Sequence, residues 1–163
     1  MATGIVIWPF GSGRLVRPTA RSLFLPQKPY LTVGTLREQL SYPAAPGTFD
    51  DGACRAALAD CGLPELAARL DEEQNWAQML SPGEQQRIAF ARVFLHRPDW
   101  LFLDEATSSL DEASESRLYR LLGEKLPRAT VVSIGHRPTL AEFHHRRMRI
   151  ERGPEGPGTL VFA

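Results

Sequence analysis

The stretch that decides the fold is LSPGEQQRIAFARVFLHRPDWLFLDE, residues 80–105. Its residues 81–84 combine a serine N-cap, a proline at the first helical position and a glutamate at the third, which together predict the start of a helix. This helix runs to about His96, because the Arg-Pro pair at residues 97–98 ends it. Residues 100–103 are continuously apolar, as expected of a strand buried on both faces. A helix that leads into such a strand is typical of an α/β domain.

Shorter patterns on both sides continue the alternation of strands and helices. Further strands are predicted at residues 22–25, 129–134, 149–151 and 159–162. Further helices are predicted at residues 34–40, 50–61, 64–70, 111–126 and 139–143. Thr35 and either Asp50 or Asp51 are the predicted caps of the first two helices. The strand at 129–134 is predicted to be buried, and the last two strands to form a terminal hairpin.

The length of the chain and the order of its elements predict a single domain with two parts. The chain has 163 residues, which is enough to bury a core without disulfides. Residues 41–97 show no strand pattern, so they predict an α-helical subdomain that contains the helix beginning at Ser81. Residues 1–40 and 98–163 form the predicted sheet core. The expected fold class is therefore α/β, with an inserted α-helical subdomain.

The charge balance bears on which partners the chain can have. Lys plus Arg and Asp plus Glu both number 19, so the net charge is zero, which argues against a nucleic-acid binder that acts through a basic field. The basic residues 144–147 are interpreted as a solvated face. Cys54 and Cys61 are seven residues apart and are expected to be small, reduced core residues. No apolar run reaches the ~20 residues of a membrane-spanning helix, so a membrane link is expected through a partner.

Two adjacent acids, Asp104 and Glu105, end the apolar strand at residues 100–103. Open α/β sheets bind their ligands at the carboxyl ends of the strands. Successive side chains on a strand point to opposite sides, so the two carboxylates can serve different tasks. One can order Mg²⁺ and its waters while the other polarises an attacking water. A solvated strand end remains the alternative for this pair considered alone.

Ser81 and Gly83 stand at the start of the helix, where free backbone N–H groups and the helix dipole attract an anion. Gly83 lets a phosphate approach the backbone closely. An ordinary capped helix is the alternative, because such capping boxes are common. That alternative does not predict the residues after the box, which are Gln-Gln-Arg at 85–87, the acidic strand end, and Ser-Ser-Leu-Asp at 108–111.

Together, residues 80–112 resemble the signature motif, Walker B strand and D-loop of the nucleotide-binding domains of ABC transporters. The signature departs from the common L-S-G-G-Q form at Pro82 and Glu84. That variant is similar to the subgroup with fused membrane and ATPase halves, which includes peroxisomal fatty-acyl transporters and bacterial SbmA/YddA-like proteins. Residues 25–30 with 34–37 resemble the Q-loop region of that group, and residues 133–137 resemble its switch region. The resemblance implies a RecA-like P-loop NTPase core, ATP and Mg²⁺ as ligands, and ATP hydrolysis coupled to transport.

The resemblance implies a role for each matching residue of the site. Gln27 would be the Q-loop glutamine, which joins the metal site to the membrane-domain interface. Asp104 would be the Walker B aspartate that holds Mg²⁺ through water, with Gln27 as the other metal-site residue. Glu105 would be the general base or water-positioning group. His136 would be the switch histidine that hydrogen-bonds the γ-phosphate, although a histidine after a strand is more often structural.

Other matching residues would serve a nucleotide held by a second subunit. Ser81, Gly83 and Glu84 of the signature would contact that nucleotide, and Asp111 matches the acid of the D-loop. These roles require a head-to-tail dimer with a second nucleotide-binding domain. A transmembrane permease domain is the other implied partner, and it would hold this chain at the cytoplasmic face of the membrane.

One part of the family pattern is missing from the sequence. The phosphate loop G-x-x-x-x-G-K-[ST] does not occur, and Gly-Ser-Gly-Arg at residues 11–14 lacks its glycine spacing and its lysine. Residues 8–14 instead resemble the segment just after the phosphate-loop helix. The chain is therefore expected to be N-terminally shortened, with the first strands and the phosphate-loop helix missing. It is expected to expose apolar sheet edges, to bind ATP weakly, and to be inactive by itself.

Two other functions stay open at this point. The chain could be a non-catalytic subunit that lends its signature helix to a complete partner ATPase. In that case Glu105→Gln would leave the ATPase activity of the pair unchanged. A non-transport ABC ATPase, in DNA repair or on the ribosome, is less favoured, because neither a coiled-coil insertion nor a tandem duplicate domain is visible in the sequence.

Overall fold

The computed structural model describes residues 19–151 and 158–162. Within these ranges the strands are β1 (Ser22–Leu25), β2 (Val33–Thr35), β3 (Glu73–Asn75), β4 (Trp100–Asp104), β5 (Thr130–Ile134), β6 (Met148–Glu151) and β7 (Thr159–Phe162). The helices are α1 (Leu36–Ser41), α2 (Asp51–Asp60), α3 (Trp76–Met79), α4 (Pro82–His96) and α5 (Glu112–Lys125). Two 3₁₀ helices span Pro64–Ala68 and Pro138–Phe143. The interpretations made for residues 5–18 lie outside the described residues.

Local capping chemistry explains why the helices begin where they do. The side chain of Thr35 accepts a hydrogen bond from the backbone of Glu38, and the Glu38 carboxylate accepts one from the backbone of Thr35. Asp50 caps α2 through the N–H of Ala53. Ser81 caps α4 in the predicted manner, with Pro82 at the first helical position. These starts confirm the sequence-based predictions, since each depends only on residues three apart.

The three-stranded parallel sheet positions the site. β4 pairs in parallel with β1 on one side and with β5 on the other. All three strands therefore end at the same edge of the sheet. On one face Leu25, Leu101 and Leu103 are buried, and they belong to one core cluster with residues of α1, α2, α4 and α5.

Helix α4 holds the loop after β1 against the helices. Arg92 on α4 is buried and donates to the carbonyl oxygens of Gln39 and Tyr30, with its guanidinium over the ring of Tyr42. Burial lowers the pKa of Arg92 to about 10, so the side chain stays cationic at neutral pH. Gln39 in turn accepts from the N–H of Thr32. The chain between β1 and α1 is thus fixed by polar contacts to α1 and α4.

Two predictions about strands need correction. The sequence predicts no strand within residues 41–97, but β3 lies there and pairs antiparallel with β2. Its Glu-Gln-Asn sequence has low strand propensity, and pairing with a distant partner gives no local signal. The strand at residues 129–134 is predicted to be buried, but β5 is half-exposed along its length and Ile134 is 63% exposed. Among the described strands β5 lies at the sheet edge. The terminal hairpin of β6 and β7 is confirmed.

The second face of the sheet is apolar and open. Phe24, Phe102 and Val132 are partners in register across β1, β4 and β5, so they lie on the same face. Phe24 is 59% exposed, and the rings of Trp100 and Phe102 stack with centroids 6.1 Å apart. A contiguous exposed apolar surface of this kind favours association with other molecules.

We predict that Phe24→Ser reduces the binding of 8-anilinonaphthalene sulfonate and reduces self-association, because it removes the most exposed ring of this face. The free energy of unfolding should change little. The matched control is the next residue: Leu25→Ala should lower the free energy of unfolding by about 2–5 kcal/mol, since Leu25 is buried. Dye fluorescence, light scattering and urea denaturation measure these effects. Equal destabilisation by both substitutions would contradict the assignment of the open face.

Candidate functional site

The carboxyl ends of β1, β4 and β5 bring three predicted site residues together. The Nε2 of Gln27, two residues after β1, donates to Glu105 Oε2 at 3.1 Å. The Nδ1 of His136, two residues after β5, lies 4.0 Å from Glu105 Oε1. The side chains of Glu105 and His136 are 37% and 69% exposed, so the cluster faces solvent. An amide, a carboxylate and an imidazole thus meet at the sheet edge, where open α/β folds bind ligands.

Backbone geometry aims Glu105 into this cluster. Its φ is +48°, in the left-handed region that non-glycine residues rarely adopt. Two hydrogen bonds hold the residue there: its N–H donates to Ile134 O at 2.9 Å, and its carbonyl accepts from Ser108 N at 3.0 Å. Strain of this sort persists where the surrounding structure imposes it, and it is frequent at functional sites.

Close packing brings the turn after β5 toward the cluster. A Cβ on Gly135 would lie 2.4 Å from Leu140 Cδ1, so a larger residue would require the Leu140 side chain on the 3₁₀ helix to move. The basic run at 144–147 is only partly the predicted solvated face. His145 is exposed, but the half-buried ring of His144 hydrogen-bonds Ser133 Oγ through Nε2 at 2.9 Å. His144 therefore helps to fix β5 rather than acting as surface charge alone.

Arg137 joins the turn after β5 to the loop before α5, a contact that the sequence does not predict. Its Nη2 donates to the carbonyl of Leu110 at 2.7 Å, and its Nη1 lies 3.4 Å from the carboxylate of Glu115. Glu115 is buried and also accepts a hydrogen bond from Thr107. A buried carboxylate requires such partners, and the signal available in the sequence is only a glutamate on the inner side of α5.

The signature residues form a closed capping box at the start of α4. The Oγ of Ser81 donates to Glu84 Oε2 at 2.6 Å, and the N–H of Ser81 donates to the same oxygen at 2.8 Å. The hydrogen bond from the Ser81 side chain holds the pKa of Glu84 below its usual range. Glu84 is therefore an anion at neutral pH, and Ser81 must release it before binding another acceptor.

Gly83 has a structural reason besides the predicted approach of a phosphate. A Cβ at this position would lie 3.2 Å from the carbonyl oxygen of Ser109, in the loop before α5. The start of α4 therefore packs closely on that loop. Asp111, predicted as the D-loop acid, is the N-cap of α5: its carboxylate accepts from the N–H of Ser114 at 2.7 Å and from its hydroxyl at 3.0 Å. The hydrogen bonds from Ser114 hold the pKa of Asp111 below its usual range, and the bond from the backbone N–H has the largest effect.

The donor set at the sheet edge fits Mg²⁺. Asp104 ends β4 and is half-buried, and its side chain has no hydrogen bond or ion pair with the described residues, so its carboxylate could act as a ligand. The Nε2 of Gln27 faces Glu105, which leaves its amide oxygen available. The described part of the chain has no group of three or more acidic, histidine or cysteine side chains that could hold a metal. Mg²⁺ commonly takes one or two carboxylates together with phosphate oxygens and water. Asp104 and Gln27 offer one carboxylate and one amide oxygen of that kind.

A groove lies beside the loop that carries Gln27. Its volume is about 310 Å³, and its walls include Tyr30, Val33, Tyr42 and Pro46. Tyr30, Val33 and Tyr42 are exposed although they are large and apolar. None of the helices among the described residues combines the length and the apolar character needed to cross a bilayer.

Comparisons with known proteins agree with the motifs. Residues 15–108 match the ABC transporter family. An uncharacterized ABC transporter ATP-binding protein of Synechocystis is 48% identical over 149 residues, covering 89% of this chain and 22% of that protein. The mouse lysosomal cobalamin transporter ABCD4 is 48% identical over 141 residues, covering 80% of this chain and 23% of that protein. The inner membrane ABC transporter ATP-binding protein YddA of Escherichia coli is 43% identical over 131 residues, covering 80% of this chain and 23% of that protein.

A solved structure is also similar. A bacterial Atm1-family ABC exporter with ATP bound superposes with a TM-score of 0.64 and 27% sequence identity, over 74% of this chain and 22% of that chain. The chain spans less than a quarter of the length of these curated relatives. The predicted family resemblance and the predicted α/β fold class of the RecA-like P-loop type are confirmed.

We predict that Glu105→Gly raises the free energy of unfolding by about 1 kcal/mol relative to Glu105→Ala, because only glycine relieves the left-handed backbone strain. Both variants lose the hydrogen bond to Gln27, so their difference isolates the backbone. Urea denaturation of the two variants measures it. Equal stabilities would show that position 105 is not strained in solution.

Ser81→Ala should raise the pKa of Glu84, because it removes the side-chain hydrogen bond that lowers this pKa. A lowered folded-state pKa contributes stability above the ordinary value of about 4.3, and that contribution is lost as the pH falls through the folded-state pKa. The variant should therefore be less stable by about 1 kcal/mol at pH 7, with a smaller difference in acid. Carboxyl NMR titration checks the pKa, with Ser116→Ala on α5 as the control expected to leave it unchanged.

Proposed function

We propose that this chain, which belongs to the ABC transporter family, binds and hydrolyses ATP as the nucleotide-binding domain of an exporter-type transporter and couples hydrolysis to transport. The observation that carries this proposal is the meeting of Gln27, Glu105 and His136 at one sheet edge, next to Asp104 at the end of β4. The family match supplies ATP as the ligand class. The proposal gives each of these side chains a separate task on the terminal phosphate.

Glu105 is the proposed general base or water-positioning group. Its Oε2 is held by the amide of Gln27, while Oε1 faces the side of His136, where a water can approach it. His136 is the proposed hydrogen-bond donor to the γ-phosphate, and its exposure leaves it accessible to a ligand. Asp104 and the amide oxygen of Gln27 are the residues that would hold Mg²⁺. When bound, the ion would neutralise charge that develops on the phosphate oxygens.

The phosphate cradle belongs outside these 163 residues in this proposal. The sequence contains no G-x-x-x-x-G-K-[ST] motif, and phosphoryl transfer of this class needs the backbone cradle and the lysine that such a motif supplies. Asp104 and Glu105 would therefore act only with another segment or subunit that provides the cradle. That requirement agrees with the expectation that the 163 residues alone are inactive.

A head-to-tail dimer would use the start of α4. Ser81 and Gly83 lie at the N-terminal end of a 15-residue helix, where N–H groups and the helix dipole favour an anion. Because Glu84 is anionic, it is suited to accept from a hydroxyl of the nucleotide sugar rather than to contact a phosphate. Asp111 would stabilise the adjoining loop as the cap of α5. The nucleotide contacted would be the one held by the second domain.

A transmembrane permease domain is the proposed membrane partner. The groove that contains Tyr30, Val33 and Tyr42 presents exposed apolar side chains three to fifteen residues after Gln27. Apolar side chains around a concave surface are what a docking helix of the permease requires. This docking would place the chain at the cytoplasmic face of the membrane. It would also put Gln27 between the groove and the site.

A non-catalytic subunit is the second candidate. The observation that favours it is the complete capping box and exposed start of α4 in a sequence that has no phosphate-loop motif. Such a chain would lend Ser81 and Gly83 to the nucleotide of a complete partner. Glu105 would then be dispensable for hydrolysis.

A chimera separates these two functions. The 131 residues matched to YddA would replace the corresponding segment of that protein, which supplies the remainder of an ATP-binding protein. We predict ATPase activity in the chimera, and a loss of kcat of at least about 100-fold with Glu105→Gln, because the base is removed. Glu112→Gln, an exposed acid in the first turn of α5, is the control and should stay within about twofold. Equal kcat for both variants would favour the non-catalytic subunit, and an inactive parent chimera would count against a hydrolytic domain.

A further inference from the structure

Gln86 lies in the second turn of α4 and is 1% exposed. Its Nε2 donates to the carbonyl oxygen of Gln27 at 2.9 Å and to Ser108 Oγ at 3.2 Å. The same nitrogen lies 3.5 Å from the carbonyl oxygen of Glu105. Its Oε1 accepts from the N–H of Ser109 at 2.9 Å. Every polar atom of this buried amide thus has a partner, and each partner lies in a loop that bears on the candidate site.

These contacts join two loops that are far apart in sequence. Gln27 lies in the loop after β1, whereas Glu105 and residues 108–109 lie in the loop between β4 and α5. Gln86 bonds the backbone of the Gln27 loop, and its contact with residues 108–109 supports the turn in which Ser108 N bonds Glu105 O. Gln27 and Glu105 also meet through their side chains. One amide on α4 therefore controls how far apart these two loops lie.

The same helix carries the predicted contacts to a second subunit. Ser81 is the N-cap of α4, and Gln86 lies five residues further on, which is about 8 Å along the helix axis at 1.5 Å per residue. A regular helix transmits a displacement over that distance with little bending. A shift at Ser81 would thus move the amide that supports Gln27 and Glu105.

We propose that Gln86 is a positioning residue that couples the signature end of α4 to Gln27 and Glu105 of the same chain. The inference rests on the proposed function, which assigns Ser81 and Glu105 to two different nucleotide sites. Contact of Ser81 with nucleotide on the second domain would set the placement of Glu105 at the first site. Gln86 acts through the backbone of the two loops and does not itself touch substrate.

The neighbouring Gln85 is a matched control in the same helix. It is also buried, and its Nε2 donates to the carbonyl oxygens of Ala77 and Leu80, both at 2.9 Å. Its partners lie in and just after α3, beside the start of α4. Loss of either amide leaves carbonyl groups that are at least partly buried without this donor, so both substitutions should destabilise the chain to a similar degree. The two substitutions differ in which segment of the chain loses its hydrogen bonds.

The test is hydrogen exchange of the full 163-residue chain in the Gln86→Ala and Gln85→Ala variants. Gln86→Ala should reduce the protection of the non-proline amides at residues 27–32 and 105–110 by about tenfold. The amide of Ser109 should be most affected, because its acceptor is gone. Gln85→Ala should leave those residues protected and reduce protection at residues 77–81. Unchanged protection of the two loops in Gln86→Ala would overturn the proposal. An equal loss in every segment, including α2, would do the same, since it would indicate global destabilisation.

A second variant keeps the shape of the side chain and makes its effect depend on pH. In Gln86→Glu the protonated carboxyl can still donate to Gln27 O and accept from Ser109 N, whereas the carboxylate faces acceptor oxygens. Burial and the nearby Glu105 carbonyl raise its pKa above the ordinary value of about 4.3. Loop protection should be near that of the parent chain in acid and should fall as the pH rises through this pKa. In Gln85→Glu the pH effect should appear at residues 77–81. If the protection of the two loops in Gln86→Glu did not change with pH, the proposal would be contradicted.

Exchange in this chain does not depend on ATP hydrolysis. Failure of the chimera to hydrolyse ATP would remove the proposed function and leave the Gln86 contacts to be judged by exchange alone. Failure of the exchange experiment would remove the positioning role and leave the ATPase proposal standing.

Discussion

The parallel pairing of β4 with both β1 and β5 is the constraint on which the rest of the structure depends. Parallel strands end at the same edge, so the residues after each strand are brought together whatever their separation in sequence. Gln27, Glu105 and His136 meet only because of this pairing. The helices then determine their exact spacing, since α4 holds the loop after β1 through Arg92 and Gln86. The sheet determines which residues meet, and the helices determine the distances between them.

Much of the fold can be predicted from local sequence. The caps at Thr35, Asp50 and Ser81 depend on residues three apart, and the structure contains all three as predicted. The apolar run at residues 100–103 predicts β4, and the acids after it predict the ligand edge. By contrast, β3 has a polar sequence whose pairing with β2 is non-local, so no pattern indicates it.

The candidate site likewise contains residues that the sequence predicts and residues that it does not. Gln27, Asp104, Glu105 and His136 stand out by their position after strands and by their resemblance to family motifs. The supporting contacts of Arg137 and Gln86 do not stand out, because most of their partners are main-chain groups, which every residue possesses. Such partners carry no sequence signature, and only the folded chain shows which carbonyl groups lie within reach.

The contact between Gly83 and the carbonyl oxygen of Ser109 has a consequence for how the sequence can evolve. The tightest contact of a Cβ at position 83 would be with the main-chain oxygen of Ser109, at 3.2 Å, so no replacement of the side chain at position 109 removes it. Compensation would require the main chain of this loop to shift by a few tenths of an ångström against the contacts that hold it. Descendants of this sequence should therefore vary at Pro82 and Glu84 while position 83 stays glycine, even in lineages that no longer bind a nucleotide there.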